Sequence, residues 1–165
     1  TTDFGTLAAG NYYLTGDVEV TKDGQILKDI KICLNGHNIT TTGARVFGNV
    51  RSASGKLTVT DCSYDAATKT WGGTITGGTS TKGDVYLYAS TAKLTLGGKL
   101  TIDDIYVYSG RSVAIHSSGL EVTTPIKIIG SGTFATNVTK DLSGSFTCSG
   151  KSITYDAAAK TLTII

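Results

Sequence analysis

Proline occurs once, methionine not at all and cysteine three times in 165 residues. Charge is scarce as well: Asp, Glu, Lys and Arg together make up 17% of the chain, against about 25% in an ordinary globular domain. Each shortage removes a class of protein. An odd, small cysteine count argues against a full disulfide framework, and the spacing of Cys33, Cys62 and Cys148 matches no zinc pattern. Scattered charges, with a net of +2, leave no basic patch for nucleic acid and no acidic tail. No apolar run nears the roughly 20 residues a spanning helix needs, so membrane insertion is not expected. Stretches of Ala, Leu, Glu and Lys are too few for long helices. Disorder is disfavoured, since 39% of residues are hydrophobic and many are β-branched. What is abundant is Thr and Gly, set among Val, Ile and Leu, the composition of an all-β domain.

The length suits one domain spanning 1–165. The chain starts Thr1-Thr2-Asp3, without initiator Met or signal peptide, and stops on the apolar run Leu162-Thr163-Ile164-Ile165. Both ends read as cuts around a domain of a longer protein. Adjacent domains of the parent chain are then expected partners.

Apolar and polar residues alternate in short runs, as in half-buried strands. Such runs include Val18-Glu19-Val20, Ile30-Lys31-Ile32, Leu57-Thr58-Val59, Leu94-Thr95-Leu96, Leu100-Thr101-Ile102, Leu120-Glu121-Val122 and Ile126-Lys127-Ile128. Turn-formers such as Asn35-Gly36, Gly77-Gly78, Gly97-Gly98 and Ser118-Gly119 separate them. One column, Val20, Ile39, Leu57, Ile75, Leu94 and Val113, advances by 18 or 19 residues at each step. Others run Val85, Ile105, Ile126 and Leu100, Leu120. The recurrence predicts rungs of about 18–21 residues, each with three short strands, stacked as a parallel β-helix whose rungs share one core. The alternative is an antiparallel β-sandwich, which two-residue turn signals such as Asn35-Gly36 would also suit. Residues 1–16 and 140–165 are the candidate caps for the rung ends.

A family resemblance rests on four motifs taken in order. They are Gly10-Asn11-Tyr12-Tyr13-Leu14-Thr15-Gly16-Asp17-Val18, Ile32-Cys33-Leu34-Asn35-Gly36-His37-Asn38-Ile39, Leu57-Thr58-Val59-Thr60-Asp61-Cys62-Ser63 and Gly72-Gly73-Thr74-Ile75-Thr76-Gly77-Gly78. Together they resemble right-handed β-helix repeat regions in large surface or secreted proteins of Gram-positive, often gut-dwelling, bacteria. The resemblance implies the fold and an extracellular, cell-surface or secreted location. It also implies a non-enzymatic role in adhesion, in polysaccharide or glycan binding, or in spacing other domains. No cofactor is implied.

The alternative function is a polysaccharide-active enzyme, a lyase or glycoside hydrolase, because the β-helix fold also hosts such enzymes. A glycosidase needs two carboxylates across one sugar bond. Asp103-Asp104 is the only adjacent acidic pair. Strand neighbours point to opposite faces, so a turn role in capping backbone groups is the simpler reading of both. The other acids, among them Asp17, Asp23, Asp29, Asp61 and Asp65, are dispersed and form no calcium loop of familiar spacing. His37 reads as a turn residue and His116 as solvent-facing; two histidines make no metal set or catalytic triad. Cys33 and Cys62 read as small buried apolar groups, with pairing as the alternative.

Aromatic placement is the better clue. Val85-Tyr86-Leu87-Tyr88 and Ile105-Tyr106-Val107-Tyr108 lie one apparent repeat apart. If the aliphatic residues point inward, all four tyrosines point outward and stack in pairs, Tyr86 with Tyr106 and Tyr88 with Tyr108. Tyrosine offers an apolar face and a hydroxyl, so a flat patch of four suits sugar rings or a protein partner. Lys127 and Ile129 would continue these columns. The plainer reading is neighbour packing that stabilises a sheet. Trp71, the only tryptophan, is either a ligand contact borne on a loop or a lid over the core. Thr21, Thr40, Thr58, Thr76 and Thr95 each follow a member of the first column and would form an outward rank.

Overall fold

The structure, a computed structural model, describes residues 4–21, 24–25, 28–43, 45–48, 55–61, 74–76, 85–88 and 93–165. In chain order the strands are β1 (Gly10–Tyr13), β2 (Val18–Val20), β3 (Gly24–Gln25), β4 (Ile30–Cys33), β5 (Ile39–Thr41) and β6 (Phe47–Gly48). Then come β7 (Lys56–Thr60), β8 (Thr74–Thr76), β9 (Val85–Leu87), β10 (Lys93–Ile102), β11 (Asp104–Val107) and β12 (Val113–Val122). The last are β13 (Ile126–Ile129), β14 (Gly132–Thr136), β15 (Phe146–Thr147), β16 (Ile153–Asp156) and β17 (Thr161–Ile164). Helical geometry among the described residues is confined to single 3₁₀ turns at Phe4–Thr6 and Ser143–Ser145. The fold is all-β, and most of its strand pairs are parallel.

The strands form three parallel ladders. The first runs β1-β4-β7-β10-β12-β14, the second joins β2, β5, β8 and the end of β10, and the third runs β3-β6-β9-β11-β13-β15. From β1 to β9 the chain visits the ladders in unvarying order, first, second, third. Strands β10 and β12, ten residues each, turn a corner instead of breaking at it. They pair over Leu94–Leu96 and again, after a register shift, over Gly98–Leu100. Direction reverses at the C-terminal end, where β17 lies antiparallel to both β14 and β16. This hairpin falls within the expected cap at 140–165. At the other end Phe4 is buried, with its ring 5.0 Å from that of Phe47.

The alternation of the sequence decides what is inside. Ile30 and Ile32 of β4, Leu57 and Val59 of β7, Leu94 and Leu96 of β10, and Val113 and Ile115 of β12 are all buried. So are Ile39, Ile75 and Ile102 in the second ladder, and Phe47, Val85, Leu87, Ile105, Val107, Ile126, Ile128 and Phe146 in the third. Full burial of an aliphatic side chain is worth about 1.5–3 kcal/mol, so these stacked columns are the main source of cohesion. The lone proline, Pro125, precedes β13 directly, where its missing N–H costs the ladder little.

The repeat length differs from the expectation. Paired positions in the first ladder are separated by 20 residues from Gly10 to Ile30, 27 from Ile30 to Leu57 and 37 from Leu57 to Leu94. The steps then shorten to 19 from Leu94 to Val113 and 22 from Val113 to Ala135. The column Val20, Ile39, Leu57, Ile75, Leu94, Val113 is therefore not one column: Ile39 pairs with Ile75 in the second ladder, and Leu57 with Leu94 and Val113 in the first. Its even spacing mixes members of two ladders. The threonine rank divides likewise, with Thr58 beside Thr95 and Thr40 beside Thr76. Ile105 pairs with Ile128, not Ile126, and Leu100 with Val122, not Leu120. These slips are of two residues, and a two-residue slip keeps every side chain on its own face. The inward residues were therefore identified correctly, and the partners only in part: Leu94 does pair with Val113, and Val107 with Leu87.

Candidate functional site

The third ladder carries the candidate site. Val85, Leu87, Ile105 and Val107 are buried, so the intervening tyrosines face outward, Tyr86, Tyr88 and Tyr106 half-buried and Tyr108 41% exposed. Leu87 pairs with Val107, which sets Tyr86 beside Tyr106 and Tyr88 beside Tyr108. The ring centroids are 5.0 Å and 4.7 Å apart in these two pairs, and 5.5 Å apart between Tyr86 and Tyr88. Such separations lie within the favourable range for aromatic pairs.

The patch is not flat, as the sequence suggested. The cross-strand pairs are tilted by 57° and 54°, while Tyr86 and Tyr88 are inclined by 29°. Tilt places the positive edge of one ring against the negative face of the next. The result is a stepped surface of ring faces and edges. Ile129 continues the Tyr86–Tyr106 column, but Lys127 stands beside Asp104 instead of a tyrosine. On the other side Tyr86 is partnered by Gly48; a glycine leaves the flank of that ring open to a neighbouring side chain.

Two arginines border the patch. The Arg45 guanidinium carbon lies 4.7 Å from the centroid of the Tyr86 ring, a cation–π distance. Arg111 follows the turn at Tyr108, where its own N–H donates to the Tyr108 carbonyl at 2.9 Å. Its Nε donates to the Tyr88 carbonyl at 3.5 Å, and an Nη to the Gly110 carbonyl at 3.0 Å. Burial, then the neighbouring Tyr106 and Tyr88, raise the pKa of Tyr86 above its usual value, with Arg45 pulling the other way. At neutral pH the Tyr86 hydroxyl is a donor. The sequence drew attention to neither arginine. Arg45 is remote along the chain and only the ladder brings it to Tyr86; for Arg111 the available signal was its position three residues after Tyr108, in a Ser-Gly turn.

The acidic candidates stand where the chain enters β11. Asp103 is exposed at the bend between β10 and β11, and its carbonyl accepts the Lys127 N–H at 3.1 Å. Asp104 opens β11, half-buried. Trp71 and Cys62 lie outside the described residues, as do Asp23 and Asp65. Cys33 is disulfide-bonded, contrary to its reading as a packed thiol, and Cys148 is a free, half-buried thiol.

Several aspartates bind backbone. Asp17 Oδ1 accepts from the Asn38 N–H at 2.9 Å, Asp61 Oδ2 from the Gly36 N–H at 3.1 Å, and Asp29 Oδ1 from the Lys56 N–H at 3.1 Å. Each of these joins segments 21 to 27 residues apart, while Asp141 and Asp156 accept from N–H groups two or three residues ahead. His37 donates its backbone N–H to the Leu34 carbonyl and sets Nδ1 3.5 Å from Asp17 Oδ1. Among the described residues no three His, Cys, Asp or Glu side chains gather as a metal site, and no helix is long and apolar enough to cross a membrane. Comparison with known protein families, curated proteins and solved structures found no match to this chain.

Proposed function

We propose that the three ladders are the faces of a right-handed parallel β-helix, a repeat module of the kind found in bacterial surface or secreted proteins. Its function on this reading is to bind glycans or a surface partner through the tyrosine patch while spacing neighbouring domains. The fold reading is supported by the cyclic order of the ladders from β1 to β9. Right-handed crossovers are the rule for parallel strands. The extracellular setting is supported by the disulfide at Cys33, since such bonds persist in oxidising compartments.

The observation that carries the functional reading is the quartet of outward tyrosines on and just past two adjacent strands, with centroid separations of 4.7 to 5.5 Å. Of the four outward rings, Tyr108 is the most exposed, at 41%. Their faces can stack on sugar C–H groups and their hydroxyls can bond sugar hydroxyls. A binding role is also more consistent than a catalytic one with the carboxylates, because Asp17, Asp29, Asp61, Asp141 and Asp156 all accept from backbone N–H groups.

A glycan array probed with the wild type and the Tyr86→Ala/Tyr106→Ala variant tests this. Binding that the double variant loses, with its circular dichroism unchanged, is the expected result. Absence of any bound glycan, or equal binding by the variant, would leave only the spacer role.

A further inference from the structure

We infer that the tyrosine patch selects acidic polysaccharides, those whose sugar rings carry a carboxylate or sulfate, over neutral ones. The inference rests on the glycan-binding reading above and adds the charge of the ligand. It starts from Arg111. The residue is half-buried at the Tyr88–Tyr108 end of the patch, with its Nε 3.5 Å from the Tyr88 carbonyl and an Nη donating to the Gly110 carbonyl at 3.0 Å. No acidic side chain among the described residues pairs with it. A guanidinium has five N–H donors. The two bonds to carbonyls use two of them, and a carbonyl supplies no compensating charge. The result is a cation placed at the border of the patch, with fork donors left over of the kind that recognise carboxylate and sulfate oxygens.

Arg45, against the Tyr86 ring at the opposite end, adds a second positive charge. The nearest described acid on the same strand face is Asp104, two residues before Tyr106, and Lys127 stands beside it in register. Among the described residues, the charged groups bordering the patch are thus Arg45, Arg111 and the neighbouring pair Asp104 and Lys127. Aromatic faces with a cation at their border form a composite site: a pyranose ring stacks on tyrosine while its acidic substituent reaches the guanidinium. A neutral sugar gains only the first contact.

The test pairs glycans that share a backbone and differ in charge: polygalacturonate against its full methyl ester, and hyaluronan against its carboxyl-reduced form. Polyglutamate serves as an anion without sugar rings. Affinities are measured for the wild type, Arg111→Gln, Arg111→Lys and Tyr106→Ala, each shown by circular dichroism to be fully folded at the assay temperature. At least one acidic polymer is expected to bind about tenfold more tightly than its neutral partner, the scale of one charge-assisted hydrogen bond. Arg111→Gln should remove that preference while leaving neutral binding intact. Arg111→Lys, which keeps the charge without the fork, should lose part of it. Tyr106→Ala should weaken both members of the pair. Raising NaCl from about 0.05 to about 0.5 M should narrow the preference, because screening shortens the reach of the guanidinium charge.

Equal binding of acidic and neutral partners, both lost in Tyr106→Ala, would overturn the charge selection and leave glycan binding standing. An acidic preference that Arg111→Gln does not diminish would also overturn it. Polyglutamate bound as tightly as the acidic glycans would reduce the effect to bulk charge and overturn the composite site. If no polymer binds at all, both this inference and the glycan reading fail.

Discussion

Gly98 stands against the backbone of Asp61 so closely that a Cβ at residue 98 would lie 2.5 Å from the Asp61 carbonyl oxygen. Its φ is +72°, in the left-handed region. The position thus excludes a side chain twice over, by space and by conformation. The Gly98→Ala substitution is expected to cost at least about 2 kcal/mol, or roughly 4–8 °C in melting temperature. Gly110 supplies the control, because at φ +74° it has nothing within 4 Å of the added Cβ. The Gly110→Ala substitution should cost about 1 kcal/mol, the conformational part alone. Equal losses in thermal melts would show that the contact with Asp61 does not limit residue 98.

The Tyr86 and Tyr106 rings, 5.0 Å apart, should be energetically coupled. A double-mutant cycle to alanine, followed by denaturant unfolding, is expected to give about 0.5–1.5 kcal/mol of interaction energy. Additive losses would mean that the rings merely share a surface.

Acid should loosen the corner at Asp17. The Asn38 backbone N–H, then the Asn38 amide, hold the Asp17 carboxyl below its ordinary value of 3.8, with His37 helping. A depressed carboxyl contributes stability that is present above the unfolded value and is lost as pH falls through the folded one. The Asp17→Ala protein should therefore be less stable than wild type near neutrality and converge with it below about pH 4. A carboxyl carbon titration by NMR that places Asp17 at or above the ordinary value would contradict this.

Alkali should act on the tyrosine patch in the opposite sense. The Tyr86 phenol is raised by burial and by its tyrosine neighbours, so the folded state holds its proton more firmly than the unfolded chain does. That contribution is complete below about pH 10, the unfolded value, and disappears as pH rises through the folded one. Phenolate absorbance should show one late-titrating ring in the wild type that is missing from Tyr86→Phe. If the two proteins titrate alike apart from one ordinary tyrosine, the burial at Tyr86 has no electrostatic consequence.

What the sequence revealed and what it hid have a common physical cause. Facing is a local property with a period of two, so Val85, Leu87, Ile105 and Val107 could be set inside and the four tyrosines outside from alternation alone. Pairing is non-local. Nothing in the run Ile126-Lys127-Ile128 distinguishes which isoleucine lies beside Ile105, because both choices bury the same face. Equal spacing proved a poor guide to partners, as Ile75 and Leu94 stand in different ladders. Ring tilt depends on how side chains pack across strands, so the stepped form of the patch had no sequence signature. Arg45 became visible only when β6 was found beside β9, which sets Gly48 against Tyr86 and brings Arg45 to that ring.

Leu57 and Leu94 are 37 residues apart and lie side by side as closely paired as Leu94 and Val113, which are 19 apart. The cost of closing a longer connection rises only with the logarithm of its length, about 0.6 kcal/mol per doubling. The core therefore does not record how much chain passes between one strand and its neighbour. Segments could be gained or lost between the strands by insertion and deletion, with the buried columns and the tyrosine face unchanged. A domain built in this way can diversify its surroundings by altering length, a freedom that a fold with fixed loops lacks.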